Sequence, residues 1–246
     1  MSPNKVLQMA TACRTVAERT VSGPPASGPP ALEWRHEQLA CFRAGVSGLA
    51  GGERVVATAL PWHPSLFTQP VDEVVRGFGA WTALHAIGVF VFILALIGAA
   101  GLVASHENRL GRLGQPGLIV TLVGVVGAAG LAAAEAIVFP VLATRAPELL
   151  ALDGPLLSSP LFIGTGILAL GWPLGLAMLG AAAARAGDFH RAPGLLLAIS
   201  GPAFLALGGP FVPVAGPLSA VVFGGAQVWW GWLMWRTAAV HTPIPD

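Results

Sequence analysis

The chain contains no tyrosine and two cysteines among its 246 residues, and only 10% of them are charged. A soluble domain carries about a quarter charged residues, so this composition excludes a surface built for water. Cys13 and Cys41 have no metal-type spacing and supply no disulfide framework. The net charge of +1 excludes the basic field that nucleic-acid binding requires. Lys5 is the single lysine against twelve arginines, and with the missing tyrosine this bias is that of a GC-rich bacterial coding sequence. What is abundant is apolar: 54% of residues are hydrophobic and the mean hydropathy is +0.72.

Five apolar runs are long enough to span a bilayer, which takes about 20 residues. They lie near Thr82–Ala104, Gly117–Val141, Leu161–Ala184, Pro193–Leu207 and Val212–Trp235. The expected fold is therefore all-α, a polytopic transmembrane helix bundle over residues 81–246. Pro173 and Pro202 should kink the third and fourth helices, because proline removes a backbone donor. "GWPLG" at Gly171–Gly175 and "GAAGLAAAEA" in the second run offer small-residue surfaces for close helix contact.

Arginine placement in short loops sets the orientation. Arg109 and Arg112, Arg185 and Arg191, and Arg236 mark the cytoplasmic side, with the C-terminus inside. Trp229, Trp230, Trp232 and Trp235 then form an aromatic anchor at the inner end of the last helix. This orientation starts the first helix outside, so the polar residues before it must be translocated, yet they hold no signal-peptide apolar core. The one upstream candidate for another crossing, residues 44–62, is broken by Glu53 and Arg54. Charges at the centre of a span cost several kcal/mol, so it is a marginal sixth span followed by an external loop to residue 80. Residues 1–43, with the Pro/Gly/Ser linker "VSGPPASGPPA", read as disordered.

From His63 onward the chain resembles a group of uncharacterised six-helix integral membrane proteins of GC-rich actinobacteria. The resemblance rests on "HP" at His63–Pro64, "GAWTALH" at Gly79–His85, "FPVLATRAPEL" at Phe139–Leu149 and "RAGDFHRAPGLLLAISG" at Arg185–Gly201. It implies a six-helix membrane fold and no activity. Members carry a clean first helix just before the "HP", which is missing here. A shifted start or reading frame accounts for both that absence and the topology conflict.

Motifs for chemistry are scarce. "HEN" at His106–Asn108 lacks the second histidine of a zinc helix. "GVSG" at Gly45–Gly48 matches the nucleophile motif of rhomboid-type intramembrane proteases, but the segment around it is a poor membrane helix. Only His85 lies inside a span, which excludes the paired axial histidines of a b-type haem; no cofactor and no metal is expected. The polar residues left within spans are His85, Glu135, Ser200, Ser219 and Gln227, and Glu135 is the one charged group well inside.

Intramembrane ionisable residues commonly mark a site, so Glu135 and His85 are the candidate polar intramembrane site. At a rise of about 1.5 Å per residue, Glu135 lies about 10 Å and His85 about 6 Å below the outer surface, at depths that two antiparallel neighbours can share. Three readings of Glu135 stay open: an outward-facing proton or cation site, a packing residue between helices, or a carboxylate near water. The corresponding functions are a small binding or transport-type protein, or a non-catalytic scaffold or partner subunit; an enzyme is less favoured. The expected surroundings are the lipid bilayer of the bacterial plasma membrane, with a homo-oligomer or membrane subunit as partner and no nucleic acid.

Overall fold

The computed structural model describes residues 69–106, 110–186, 191–208 and 212–240. The polar region 1–43, segment 44–62, the "HP" pair and the "GVSG" motif lie outside them. The described residues form helices and no strand: α1 (Val71–Gly77), α2 (Trp81–His106), α3 (Gly111–Arg145), a 3-10 turn (Pro147–Leu150), α4 (Pro160–Ala169), α5 (Gly171–Ala186), α6 (Arg191–Leu207) and α7 (Ala215–Val240). The chain is all-α, as the apolar runs require.

Each expected run is helical, with differences that have local causes. α3 starts six residues earlier than the apolar run and continues four residues past it, carrying Pro116 and Pro140 within its 35 residues. Neighbouring helices can accommodate the backbone groups a proline frees in an apolar medium. The third run is split in two. Ser159 caps α4 by accepting a hydrogen bond from the Phe162 N–H at 3.2 Å, and Pro160 fills the first helical position, where its missing N–H loses nothing. Pro173 cannot donate to the Ala169 carbonyl; the Leu170 N–H bonds Ile167 O at 3.2 Å in a tighter i→i−3 turn, and α4 gives way to α5 there. Residues read as external loop contain α1, whose Val71, Val74 and Val75 share one face at helical spacing.

Among the described residues, length and hydropathy qualify three helical stretches to cross a membrane: Trp81–Ala100, Gly111–Arg145 and Pro160–Ala186. α6 is a shorter apolar helix, and α7 has 26 residues with its apolar run interrupted by Gln227 and the tryptophans. Alanine is the commonest buried apolar residue, as at Ala99, Ala128, Ala143, Ala183 and Ala226, beside larger buried side chains such as Trp81, Phe223 and Leu179, while Phe90, Ile119, Val126, Ile137 and Ile199 are more than half exposed. Small residues at helix contacts and large apolar ones outside are what packing in lipid selects, since lipid supplies no hydrophobic drive between helices. This surface and these apolar helices are consistent with a membrane protein.

α5 is the centre of the bundle, packed on α3 along one side and α6 along the other. A Cβ on Gly124 would fall on the backbone of Gly171 and Trp172, and one on Gly175 on Thr121. On the other side, a Cβ on Gly180 would sit 2.6 Å from Gly194 O, and one on Gly194 2.8 Å from Gly180 O. Trp172 follows the break and fills the space beside the crossing, edge-on to Phe92 of α2 at 4.8 Å and to Phe223 of α7 at 5.3 Å. Further along, α2 lies against α3, and α7 against α6.

Candidate functional site

The site is built where the start of α2 meets the last third of α3. Trp81 opens α2 and is 2% exposed; His85 follows one turn later on the same face. One turn deeper, a Cβ on Gly88 would make ordinary contact with Ala132 Cβ at 3.8 Å. That small pair lets the two helices approach, and it sets His85 against Glu135, three residues from Ala132. His85 Nε2 stands 3.3 Å from Glu135 Oε2, with side-chain exposures of 12% and 24%. The distance lies just beyond the usual N···O hydrogen-bond range, so the contact is a loose one.

Trp81 holds both partners. Its indole N–H donates to the Glu135 backbone carbonyl at 2.7 Å, and its own carbonyl lies 2.7 Å from His85 Nδ1. A carbonyl only accepts, so Nδ1 carries the hydrogen in that bond. The imidazole also lies against the indole, ring centroids 4.2 Å apart at 31°. The other indole face leads on to Phe139, stacked at 6.4 Å, and Phe139 leads to Phe162 of α4 at 6.2 Å.

These contacts fix a proton inventory. With Nδ1 committed to the Trp81 carbonyl, Nε2 is the ring nitrogen that faces Glu135 Oε2. Either a carboxylic acid donates to neutral imidazole, or an imidazolium donates to a carboxylate. Both arrangements contain one proton between the groups and are neutral as a pair. Removing that proton leaves a carboxylate facing a nitrogen lone pair in apolar surroundings, which is unfavourable.

No family model, curated protein or solved structure matches the chain. Its chemistry is therefore argued from this geometry alone.

The structure brings together two of the five polar span residues named from sequence and leaves three elsewhere. Ser200, Ser219 and Gln227 are buried on α6 and α7, each bonded to a carbonyl of its own helix: Leu197, Gly216 and Phe223 respectively. Thr121, fully buried and bonded to Gly117 O at 2.8 Å, was missed among the intramembrane polar residues; it belongs to the α3–α5 crossing. Trp81 and Phe139 were missed as members of the site, although Trp81 stands one helical turn before His85, the spacing at which side chains share a face.

Among the described residues, no three His, Cys, Asp or Glu side chains gather as a metal site. An open cleft of about 560 Å³ lies outside the pair, between the first turn of α1 and the 3-10 turn, and includes Asp72 and Glu148. Asp72 there is already paired with Arg76 at 2.6 Å. The acidic residues Asp72, Glu73, Glu148 and Asp153 all fall at this end of the helices, and Arg112, Arg185, Arg191 and Arg236 at the opposite end.

Proposed function

We infer that the chain is a small binding or transport-type protein of a bacterial plasma membrane, with five crossings and a polar site in the outer half of its bundle. The site is the His85–Glu135 pair and its ligand is a proton. One observation carries this reading: His85 Nε2 faces Glu135 Oε2 at 3.3 Å while Nδ1 is spent on a backbone carbonyl. Two side-chain donors suit a single proton better than a metal cation, which takes four or more ligands. The end that carries Arg112, Arg185, Arg191 and Arg236, against Arg76 and Arg145 at the other, is taken as cytoplasmic by the positive-inside rule, so the pair faces outward.

The same contacts favour a second reading, in which the protein is a scaffold or partner subunit and the pair pins α2 to α3. The Trp81 N–H to Glu135 carbonyl hydrogen bond and the His85–Glu135 contact supply such a pin. The two readings diverge in whether the pair exchanges its proton with bulk water.

Infrared difference spectra of the full chain in lipid nanodiscs, recorded across a pH titration, separate them. A proton site gives one carboxyl band that appears and disappears in a single transition, is absent in Glu135→Gln and is displaced in His85→Asn. A Glu135 signal that stays constant over the whole titration contradicts the proton site and leaves the packing role.

A further inference from the structure

The three valines of α1 are buried at 2%, 3% and 6% exposure. They do not pack on the main core. Together with Trp81, Phe139, Ala143 and Leu150 they form a second apolar cluster at the end where α2 begins and α3 finishes. Trp81 belongs to both places: its ring is part of this cluster, and its N–H, carbonyl and indole face hold Glu135 and His85.

α1 has seven residues, too few for a helix to be stable in isolation. Its helical state depends on docking, so it has two natural conditions, docked and undocked. Among the described residues, one side-chain hydrogen bond ties it to α3. The Arg76 guanidinium donates to Ala143 O at 3.3 Å while also pairing with Asp72 on its own helix. The link to the site is short, since the Trp81 backbone N–H bonds Phe78 O at 2.9 Å and the Phe78 backbone N–H bonds Val74 O at 2.9 Å. A movement of α1 is thus transmitted to Trp81 through two backbone hydrogen bonds.

We propose that α1 and Trp81 form a clasp that closes the outer approach to His85 and Glu135, and that undocking of α1 opens it. The clasp rests on the reading of the pair as a proton site, for which it supplies the access step. Trp81 is a positioning residue in this arrangement, and the Val71, Val74 and Val75 face is the latch.

The test reads access without using the proton. The full chain carrying His85→Cys, with Cys13→Ser and Cys41→Ser to leave one thiol, is placed in lipid nanodiscs and treated with a charged thiosulfonate reagent. The clasp predicts slow labelling of the new thiol, at least tenfold faster in Val74→Asp, which puts a charge in the latch. Arg76→Ala, which leaves the valines intact, should accelerate labelling by a smaller factor, and both variants should keep their far-UV circular dichroism. Equal rates with and without these changes overturn the clasp, whether all are fast, which means no closure, or all slow, which means another barrier. Because His85 is absent from every sample, the result is independent of whether the pair binds a proton.

Discussion

Replacing Gly124 by leucine is expected to leave no correctly packed protein. A Cβ at this position would overlap the backbone of Gly171 and Trp172, and backbone in two packed helices cannot rotate out of the way as a side chain can. Inserting methylenes into a packed core usually costs about 1–3 kcal/mol, because neighbouring side chains shift. Here α3 and α5 must separate instead, which also opens the contacts around Gly117, Thr121 and Gly175. The loss should exceed about 3 kcal/mol, beyond that usual range, and appear as aggregated protein on size-exclusion chromatography in mild detergent. Gly164→Leu on α4 is the matching control, since a Cβ there meets nothing within 4 Å. It should elute and unfold like the native protein. Equal behaviour of the two variants would mean that the crossing of α3 and α5 is not the centre of the fold.

The second large effect concerns the two partners of the site taken singly and together. His85→Leu removes the imidazole that faces the Glu135 carboxyl, and Glu135→Leu removes the carboxyl that faces His85 Nε2. Leaving a buried polar group unsatisfied costs about 1–3 kcal/mol, so each single variant should lose stability in that range. The double variant removes both groups, and replacing both partners by apolar ones is often nearly neutral. It should therefore lose less than the two single losses added together. Polar pairs in membrane proteins couple by about 0.6 kcal/mol on average and about 1.7 at most, which sets the size expected from the double-mutant cycle in detergent unfolding. Strict additivity of the two changes would show that the side chains do not meet.

Much of the bundle is legible in the amino-acid order because apolar runs of membrane length announce themselves without any periodicity. The same property hides which face of each helix turns inward. Around His85 and Glu135 nearly every neighbour is apolar, so no polar face points away from the core. What settles the facing is size: Gly88 and Ala132, one turn from the pair, let the helices approach. Depth alone made the encounter feasible; these two small residues make it a contact. The split at Leu170 was signalled by Pro173, but as a bend in one helix rather than a break between two. α1 was hidden in a loop because three valines within five residues are too short a pattern to distinguish from an extended segment. Trp81 escaped notice for a different reason. Its part in the site comes from a backbone carbonyl and an indole N–H, and a carbonyl is common to every residue.

The claim on which the functional reading depends is that His85 holds its Nδ1 hydrogen against the Trp81 carbonyl and shares a second proton with Glu135 through Nε2. Solid-state nitrogen NMR of the ring, with histidine labelled and the protein in lipid bilayers, measures this directly when His85→Asn is used to assign the signals. The prediction is a protonated Nδ1 at every pH at which the chain is folded, with an Nε2 signal that changes when Glu135 is replaced by glutamine. A ring with a bare Nδ1 and a hydrogen fixed on Nε2, unaltered by that replacement, contradicts it.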